Sequence, residues 1–226
     1  TDFIERAPEQ FDDAKYSAEK ERSVGLGVMG FHSYLQKHSI PLESVMSKAW
    51  NKKIFKHIQE HVDQASKDLA DERGACPDAA DYGFNERFSN KTAIAPTASI
   101  SIICGGASPG VEPVAANSYT HKTLSGSFNV RNRYLVELLE KHGKNNDDVW
   151  SGITTNEGSV SHLDFLTDLE KDVFKTAFEL DQKWIIELSG DRTPFISQAQ
   201  SINLFVPADI HKRELHKIHF DAWKKG

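Results

Sequence analysis

Two cysteines, Cys76 and Cys104, are all that 226 residues contain. Two are too few for a disulfide framework, so stability has to come from a packed interior, and the expectation is a reducing, cytoplasmic setting. No apolar run approaches the roughly 20 residues that a membrane-spanning helix needs, and no signal-peptide pattern opens the chain. A membrane partner is therefore not expected. Basic residues do not cluster: Lys52-Lys53 and Lys224-Lys225 are isolated pairs in a chain of net charge −6. Without a basic stripe, a nucleic acid polymer is a poor partner. What is present is ordinary for a globular protein, 38% hydrophobic and 27% charged residues, in a length that can bury a substantial core.

Periodicity predicts a helix-rich chain with few strands. Residues 1–15 carry no steady pattern and read as a connecting arm. From Glu19 to Lys37, Val24, Val28, Phe31 and Leu35 recur at helical spacing. Gly25, Gly27 and Gly30 would cost that helix roughly 1 kcal/mol each against alanine, which implies close packing on another backbone. The same glycines match the dinucleotide fingerprint by letter. The preceding Lys15–Arg22 is charged and helix-favouring rather than a strand, so the match is a decoy. Residues 44–73 give the clearest helix, with Trp50, Ile54, Ile58, Val62, Ala65 and Leu69 as its stripe and Gly74 as its C-cap. His57 and His61 have metal-ligand spacing on it but no third ligand, and read as solvated. Further helices are expected near Arg133–His142, from Ser161 to Ser189 with Gly190 as terminator, and from Asp209 to Lys225. Short strands are expected near 92–95 and at Ile202–Val206. Strands separated by helices suit an α/β barrel better than a helical bundle.

The stretch richest in chemistry is Lys91-Thr92-Ala93-Ile94-Ala95-Pro96-Thr97-Ala98-Ser99-Ile100-Ser101-Ile102-Ile103-Cys104-Gly105-Gly106. A β-compatible run meets a proline, then small hydroxylic residues, then isoleucines, which predicts a strand, a turn and the start of a buried helix. The first N–H groups of a helix lack internal partners and favour a negatively charged ligand. Proline suits such a start, and Thr97 and Ser99 add hydroxyl donors beside the small Ala98. A plain N-cap would use the same residues. The continuation Gly105-Gly106-Ala107-Ser108-Pro109-Gly110-Val111-Glu112-Pro113 stops the helix early, which suits a binding feature better than a core element.

Those residues, from Ala95 to Ser101 and from Gly105 to Pro113, resemble the substrate-phosphate loop of the ribonucleotide reductase large (α) subunit. Arg22-Ser23-Val24-Gly25-Leu26-Gly27-Val28-Met29-Gly30-Phe31 is similar to a glycine-rich segment of that family. Gly74-Ala75-Cys76-Pro77, the run Ser197–Phe205 and Phe220-Asp221-Ala222-Trp223-Lys224-Lys225-Gly226 resemble later segments in the family's order. The resemblance implies the C-terminal part of a ten-stranded α/β barrel, so that residues 1–226 would form one partial domain. The start at Thr1 and the end at Gly226 also read as a piece of a longer polypeptide.

By resemblance, Pro96, Thr97, Ala98, Ser99 and Ile100 fall on the substrate-binding run, with a ribonucleoside diphosphate or triphosphate as ligand. Ile100 stands where many members have a serine, and its side chain cannot donate; binding would rest on backbone N–H groups with Thr97, Ser99 and Ser101. The family removes the ribose 2′-hydroxyl through a thiyl radical, but its radical and redox cysteines would lie outside this chain. Cys76 and Cys104 read as structural, Glu112 as a structural hydrogen-bonding group, and neither a catalytic residue nor a metal ligand is assigned. The resemblance further implies a radical from a metal-containing small (β) subunit or from adenosylcobalamin, allosteric nucleotides in the full enzyme, the remaining α-subunit segments as partners, and an α homodimer. Two alternatives stay open: a glycyl-radical enzyme on the same barrel, although no Arg-Val-x-Gly-Tyr-type motif occurs near the C-terminus, and a non-catalytic binding or assembly module.

Overall fold

A computed structural model describes residues 4, 6–124 and 126–226 of the chain. It forms two compact units. The smaller takes the chain up to Gly27 together with Lys52–Ile94 and Arg192–Gln200; the larger takes Val28–Asn51, Ala95–Asp191 and Ser201–Gly226.

In the smaller unit, α1 (Asp12–Glu21) lies against the short α4 (Pro77–Asp81), with Lys20 Nζ 2.9 Å from Asp81 and 3.6 Å from Asp78. The long helix α3 (Val45–Arg73) contributes its C-terminal part. Gly74 ends that helix in the left-handed region (φ 81°), its N–H donating to Ala70 O. The Arg87 guanidinium donates to the free carbonyls of Arg73 and Gly74 at 3.0 Å each. Three extended segments run side by side. Val24 and Leu26 donate to the carbonyls of Asn90 and Lys91, and Ala93 returns a bond to Leu26 O. On the other side Gln198 donates to Thr92 O and Ile94 to Ala199 O. The bridges Leu26–Thr92 and Ile94–Gln200 are both parallel. Arg192 is buried, donates to Gln200 Oε1 at 2.7 Å and stacks over Phe55.

The larger unit holds the main core: Leu135 and Leu139 of α6 (Arg133–Lys141), Trp150 and Ile153 of α7 (Asp147–Thr155), then Val160, Leu163, Leu166, Val173 and Phe174. Asn132 and Asn146 cap α6 and α7 through their side-chain oxygens, and Thr167 with Glu170 forms a capping box on α8 (Asp168–Val173). An antiparallel hairpin, β1 (Ser118–Thr123) with β2 (Gly126–Arg131), pairs Ser118 with Arg131 and His121 with Phe128. α2 (Phe31–Lys37), α9 (Gln182–Arg192) and α10 (Lys212–Lys224) complete the helices beside the short α5 (Ala98–Ile103).

A buried amide relay fastens the base of the hairpin. Asn117 donates to the carbonyls of Gly158 (3.0 Å) and Phe174 (2.7 Å). Asn132 Nδ2 donates to Asn117 Oδ1 and to Gln36 Oε1, both at 2.9 Å. Gly158 has φ 84°, and a Cβ there would sit 2.4 Å from Ala116 Cβ, so only glycine lets these backbones meet.

Several boundaries differ from the sequence reading. The expected helix over Glu19–Lys37 breaks, because Arg22 turns left-handed (φ 48°) and the glycine segment runs extended as a parallel neighbour of Thr92. A helix begins at Asp12, inside the presumed arm. The 161–189 helix is two, α8 and α9, separated at Phe174–Asp181, and α9 continues through Gly190. Gly190 does not terminate it; a Cβ there would press on Lys225 at 3.0 Å. Helix α7 starts at Asp147 in a stretch that the periodicity does not mark as helical, and the β1–β2 hairpin is not among the expected strands. Ile202–Val206 forms no ladder among the described residues; the parallel bridge falls earlier, at Gln200. On α3 the buried positions include Ser47, Asn51, Phe55, Ser66 and Ala70, while Ala65 is exposed. Asn51 earns its place by donating to Leu188 O at 2.7 Å.

Two outcomes follow from this packing. Asn117→Ala strands the buried Phe174 carbonyl and one hydrogen of the Asn132 amide, while Gly158 O keeps the N–H of residue 117, and is expected to cost about 1–3 kcal/mol in urea unfolding. His32, fully buried, has its pKa pushed down by burial from 6.5 to about 4. Between those values the unfolded chain binds the extra proton, so stability from this group is full above about pH 6.5 and is lost as the pH falls toward 4. The loss is on the order of 3 kcal/mol. Urea titrations at pH 7 and pH 5 should show it in the wild type, with a flatter dependence in His32→Asn.

Candidate functional site

Helix α5 has six residues, Ala98–Ile103. Pro96 disfavours helical backbone at Ala95, and Thr97, in the left-handed region (φ 51°), delays the helix to Ala98 without capping it by its side chain. Among the described residues the N–H groups of Ala98, Ser99 and Ile100 have no acceptor, Ser101 N–H being the first to bond back, to Thr97 O at 2.9 Å. The result is a run of three idle donors at an exposed turn.

That turn is fixed from beneath. Gly110 N–H donates to Thr97 Oγ1 at 2.8 Å, which turns the hydroxyl lone pair inward and leaves its proton free. Gly110 has φ 47°, and a Cβ on it would lie 2.9 Å from Ala95 O. The N-terminal donors of α2 grip the same loop. Gly30 N–H reaches Ser108 O (2.9 Å) and Phe31 N–H reaches Gly110 O (3.3 Å). Ser33 and Ser108 exchange bonds: Ser33 N–H to Ser108 Oγ (3.1 Å) and Ser108 N–H to Ser33 Oγ (2.8 Å). Just beyond, buried Glu112 accepts from the Asn203 N–H at 2.8 Å and from its amide at 2.9 and 3.1 Å. At the far end of α5, Gly106 N–H closes onto the carbonyls of Ser101 and Ile102.

The sequence-predicted residues Pro96, Thr97, Ala98, Ser99 and Ile100 are thus contiguous at one turn. Ser99 is exposed with no partner for its hydroxyl. Ser101 differs from the expectation: it is buried, and its hydroxyl donates to Ala98 O at 2.9 Å, away from the idle N–H groups. The helix is not a buried one either. Ile100, Ile102 and Ile103 are 56%, 40% and 83% exposed, because α5 is held by its ends rather than by an apolar face. Ala98, Ser101 and Ile102 line a cavity of about 290 Å³ together with Tyr119, Val130 and Tyr134.

Cys76 is buried at the N-cap of α4, and Cys104, expected in a structural role, is exposed at the end of α5. His57 and His61 touch each other, and among the described residues no three histidine, cysteine or carboxylate side chains gather to hold a metal ion. No described helix is long and apolar enough to cross a membrane. Ser33 and Ser108 were missed as supports. Ser108 lies within the glycine-proline stretch that marked the loop, whereas nothing in the sequence singles out Ser33.

The model of the ribonucleotide reductase barrel domain matches residues 2–86 and 78–226. The ribonucleoside-diphosphate reductase large subunit of Invertebrate iridescent virus 6 is 49% identical over 230 residues, covering 100% of this chain and 24% of that protein. Its counterpart in Invertebrate iridescent virus 3 is 44% identical, over 99% of this chain and 36% of its own length. Among solved structures, the class Id ribonucleotide reductase alpha subunit of Actinobacillus ureae superposes with a TM-score of 0.91 at 37% identity, covering 99% of this chain and 41% of that one. The chain therefore spans between about a quarter and two-fifths of the length of these proteins.

Gly110→Ala tests whether the loop geometry is as tight as it looks. The left-handed backbone and the clash with Ala95 O should together cost about 1–3 kcal/mol. The released Thr97 hydroxyl should show in hydrogen exchange as faster exchange of the Gly110 amide than in the wild type. Unchanged stability and exchange would mean that the loop tolerates a side chain there.

Proposed function

The chain belongs to the ribonucleotide reductase barrel family, and from that membership we propose that the turn Pro96–Ile100 holds the phosphate end of a ribonucleoside diphosphate. The observation that carries this reading is the set of idle N–H donors on Ala98, Ser99 and Ile100, presented at a turn that Gly110, Ser33 and Ser108 keep in place. Charged phosphate oxygens accept strong hydrogen bonds from such donors. The six-residue α5 adds little macrodipole, so the local N–H groups do the binding. The free protons of the Thr97 and Ser99 hydroxyls lie beside them. Ala98 has no side chain long enough to compete for the same space. With the diphosphate end anchored, the ribose is left to face residues outside this set.

In this reading the portion contributes substrate positioning to a ribonucleoside-diphosphate reductase large subunit. The removal of the 2′-hydroxyl by a thiyl radical is assigned to cysteines in the remaining large-subunit segments, not to Cys76 or Cys104. Cys76 is sealed in the interior and Cys104 sits in the other unit, at the exit of α5. Radical chemistry would be supplied by a metal-containing small subunit or by adenosylcobalamin, and the described side chains form no ligand set for a metal. Family membership supports this choice of substrate and partner subunits, and the geometry of the turn supports the anchoring role.

The test is calorimetric titration of a ribonucleoside diphosphate with the remaining large-subunit segments supplied. Ser99→Ala removes a donor to a charged oxygen and should weaken binding by about 1.5–3 kcal/mol, roughly 10- to 150-fold. Ala98→Glu places a carboxylate among the donors and should weaken it further. Affinity unchanged in both variants would remove the turn from the binding site.

A further inference from the structure

Helix α2 carries two buried side chains whose remaining donors have nothing to bond to. His32 and Gln36 are 1% and 3% exposed. They stand four residues apart, which places them on one face of the helix, one turn from each other. His32 Nε2 and Gln36 Nε2 have no hydrogen-bond partner.

The surrounding bonds fix what these two atoms are. Val114 N–H donates to His32 Nδ1 at 3.1 Å, so Nδ1 is the acceptor nitrogen and the proton of the neutral ring sits on Nε2. Burial holds the ring neutral, with no charged neighbour contributing to the shift. For Gln36 the orientation is set by a chain of amides. Asn117 must point its nitrogen at the carbonyls of Gly158 and Phe174, so its oxygen faces Asn132. Asn132 must point its oxygen at Tyr134 N–H, so its nitrogen faces both Asn117 and Gln36. The atom of Gln36 that meets Asn132 is therefore its oxygen, and a flipped amide would set nitrogen against nitrogen. Both idle atoms are donors by necessity, not by a choice of rotamer.

We infer that His32 and Gln36 together bind a neutral acceptor oxygen in the interior of the larger unit. Burying three N–H hydrogens without an acceptor is unfavourable enough that native interiors rarely contain such a group, let alone two on one helical turn. An anion does not suit the site, because only neutral donors face it and an unpaired buried charge would be costly. An oxygen that accepts without carrying charge does. Two sources have that chemistry: an ordered water, or a backbone or amide carbonyl from polypeptide beyond these residues. The relatives, which are two to four times longer than the matched region, could furnish the second. The site matters to the phosphate-holding turn because the same stretch of α2 carries Ser33, and because Val114 and Asn132 are tied to it. The inference itself does not depend on the phosphate reading.

A crystal structure of the protein that orders internal water decides the matter, with NMR of the histidine side chains as a second readout. An oxygen about 2.7–3.2 Å from both His32 Nε2 and Gln36 Nε2 supports the site, and its covalent context tells water from carbonyl. The His32 Nε2–H resonance should then lie downfield of those of the exposed His57 and His61, and Gln36→Met should shift it. If the crystal shows no oxygen at either atom, or a charged group in its place, and the resonance is unshifted, the inference is overturned.

Discussion

The reciprocal pair Ser33–Ser108 is the constraint on which the candidate site rests. Each serine accepts the other's backbone N–H, so two segments 75 residues apart are registered at one point by two short bonds. Both side chains are buried, where such bonds face no competition from water. Around this point the first N–H groups of α2 are spent on the carbonyls of Ser108 and Gly110. A helix start that could itself have held an anion is thus used as a fastener. The loop it fastens then presents the next helix start, that of α5, with its donors free. One N-terminus is occupied so that another can remain open.

A second layer of polar bonds carries this order further. The relay from Gln36 through Asn132 to Asn117 ends on the carbonyls of Gly158 and Phe174, and so joins α2, the hairpin base and the main core cluster. Asn132 also caps α6. A single half-buried side chain therefore sets a helix start, a strand end and a contact to a distant helix. Such a network is costly when incomplete and specific when complete. Its completeness up to Gln36 is what makes the idle donors of His32 and Gln36 conspicuous.

Within the smaller unit the barrel character of the family is visible in three short parallel segments, with Thr92–Ile94 between Leu26 and Gln200. Parallel neighbours need a crossover between them, and the chain provides long helical connections. Polar side chains reinforce the edges of these segments. Ser197 and Thr92 exchange three kinds of hydrogen bond, and Ser66 receives the Arg87 N–H. The bridges are short because each segment contributes only a few residues to pairing.

The sequence by itself determined the helices with a long apolar stripe and a clean stop, such as α3 with Gly74, and the position of the exposed turn at Pro96–Ile100. It did so because periodicity, proline and glycine act over a few neighbouring residues. Chemistry that depends on distance in the chain was not legible. Arg22 turns left-handed and the Gly25–Gly30 segment becomes extended because Thr92 lies alongside, a partner that local propensity does not contain. The paired stretch near 202–206 moved to Gln200 for the same reason, since hydrogen bonds from Ile94 and Thr92 set the register. The isoleucines of α5 read as core, yet the helix is held at its two ends, by Gly110 on Thr97 Oγ1 and by Gly106 on the carbonyls of Ser101 and Ile102, and those isoleucines are left exposed. Only the tertiary structure decided that Ser33 serves the loop and that Ser101 turns away from it, because a hydroxyl's role is fixed by which backbone group arrives within reach.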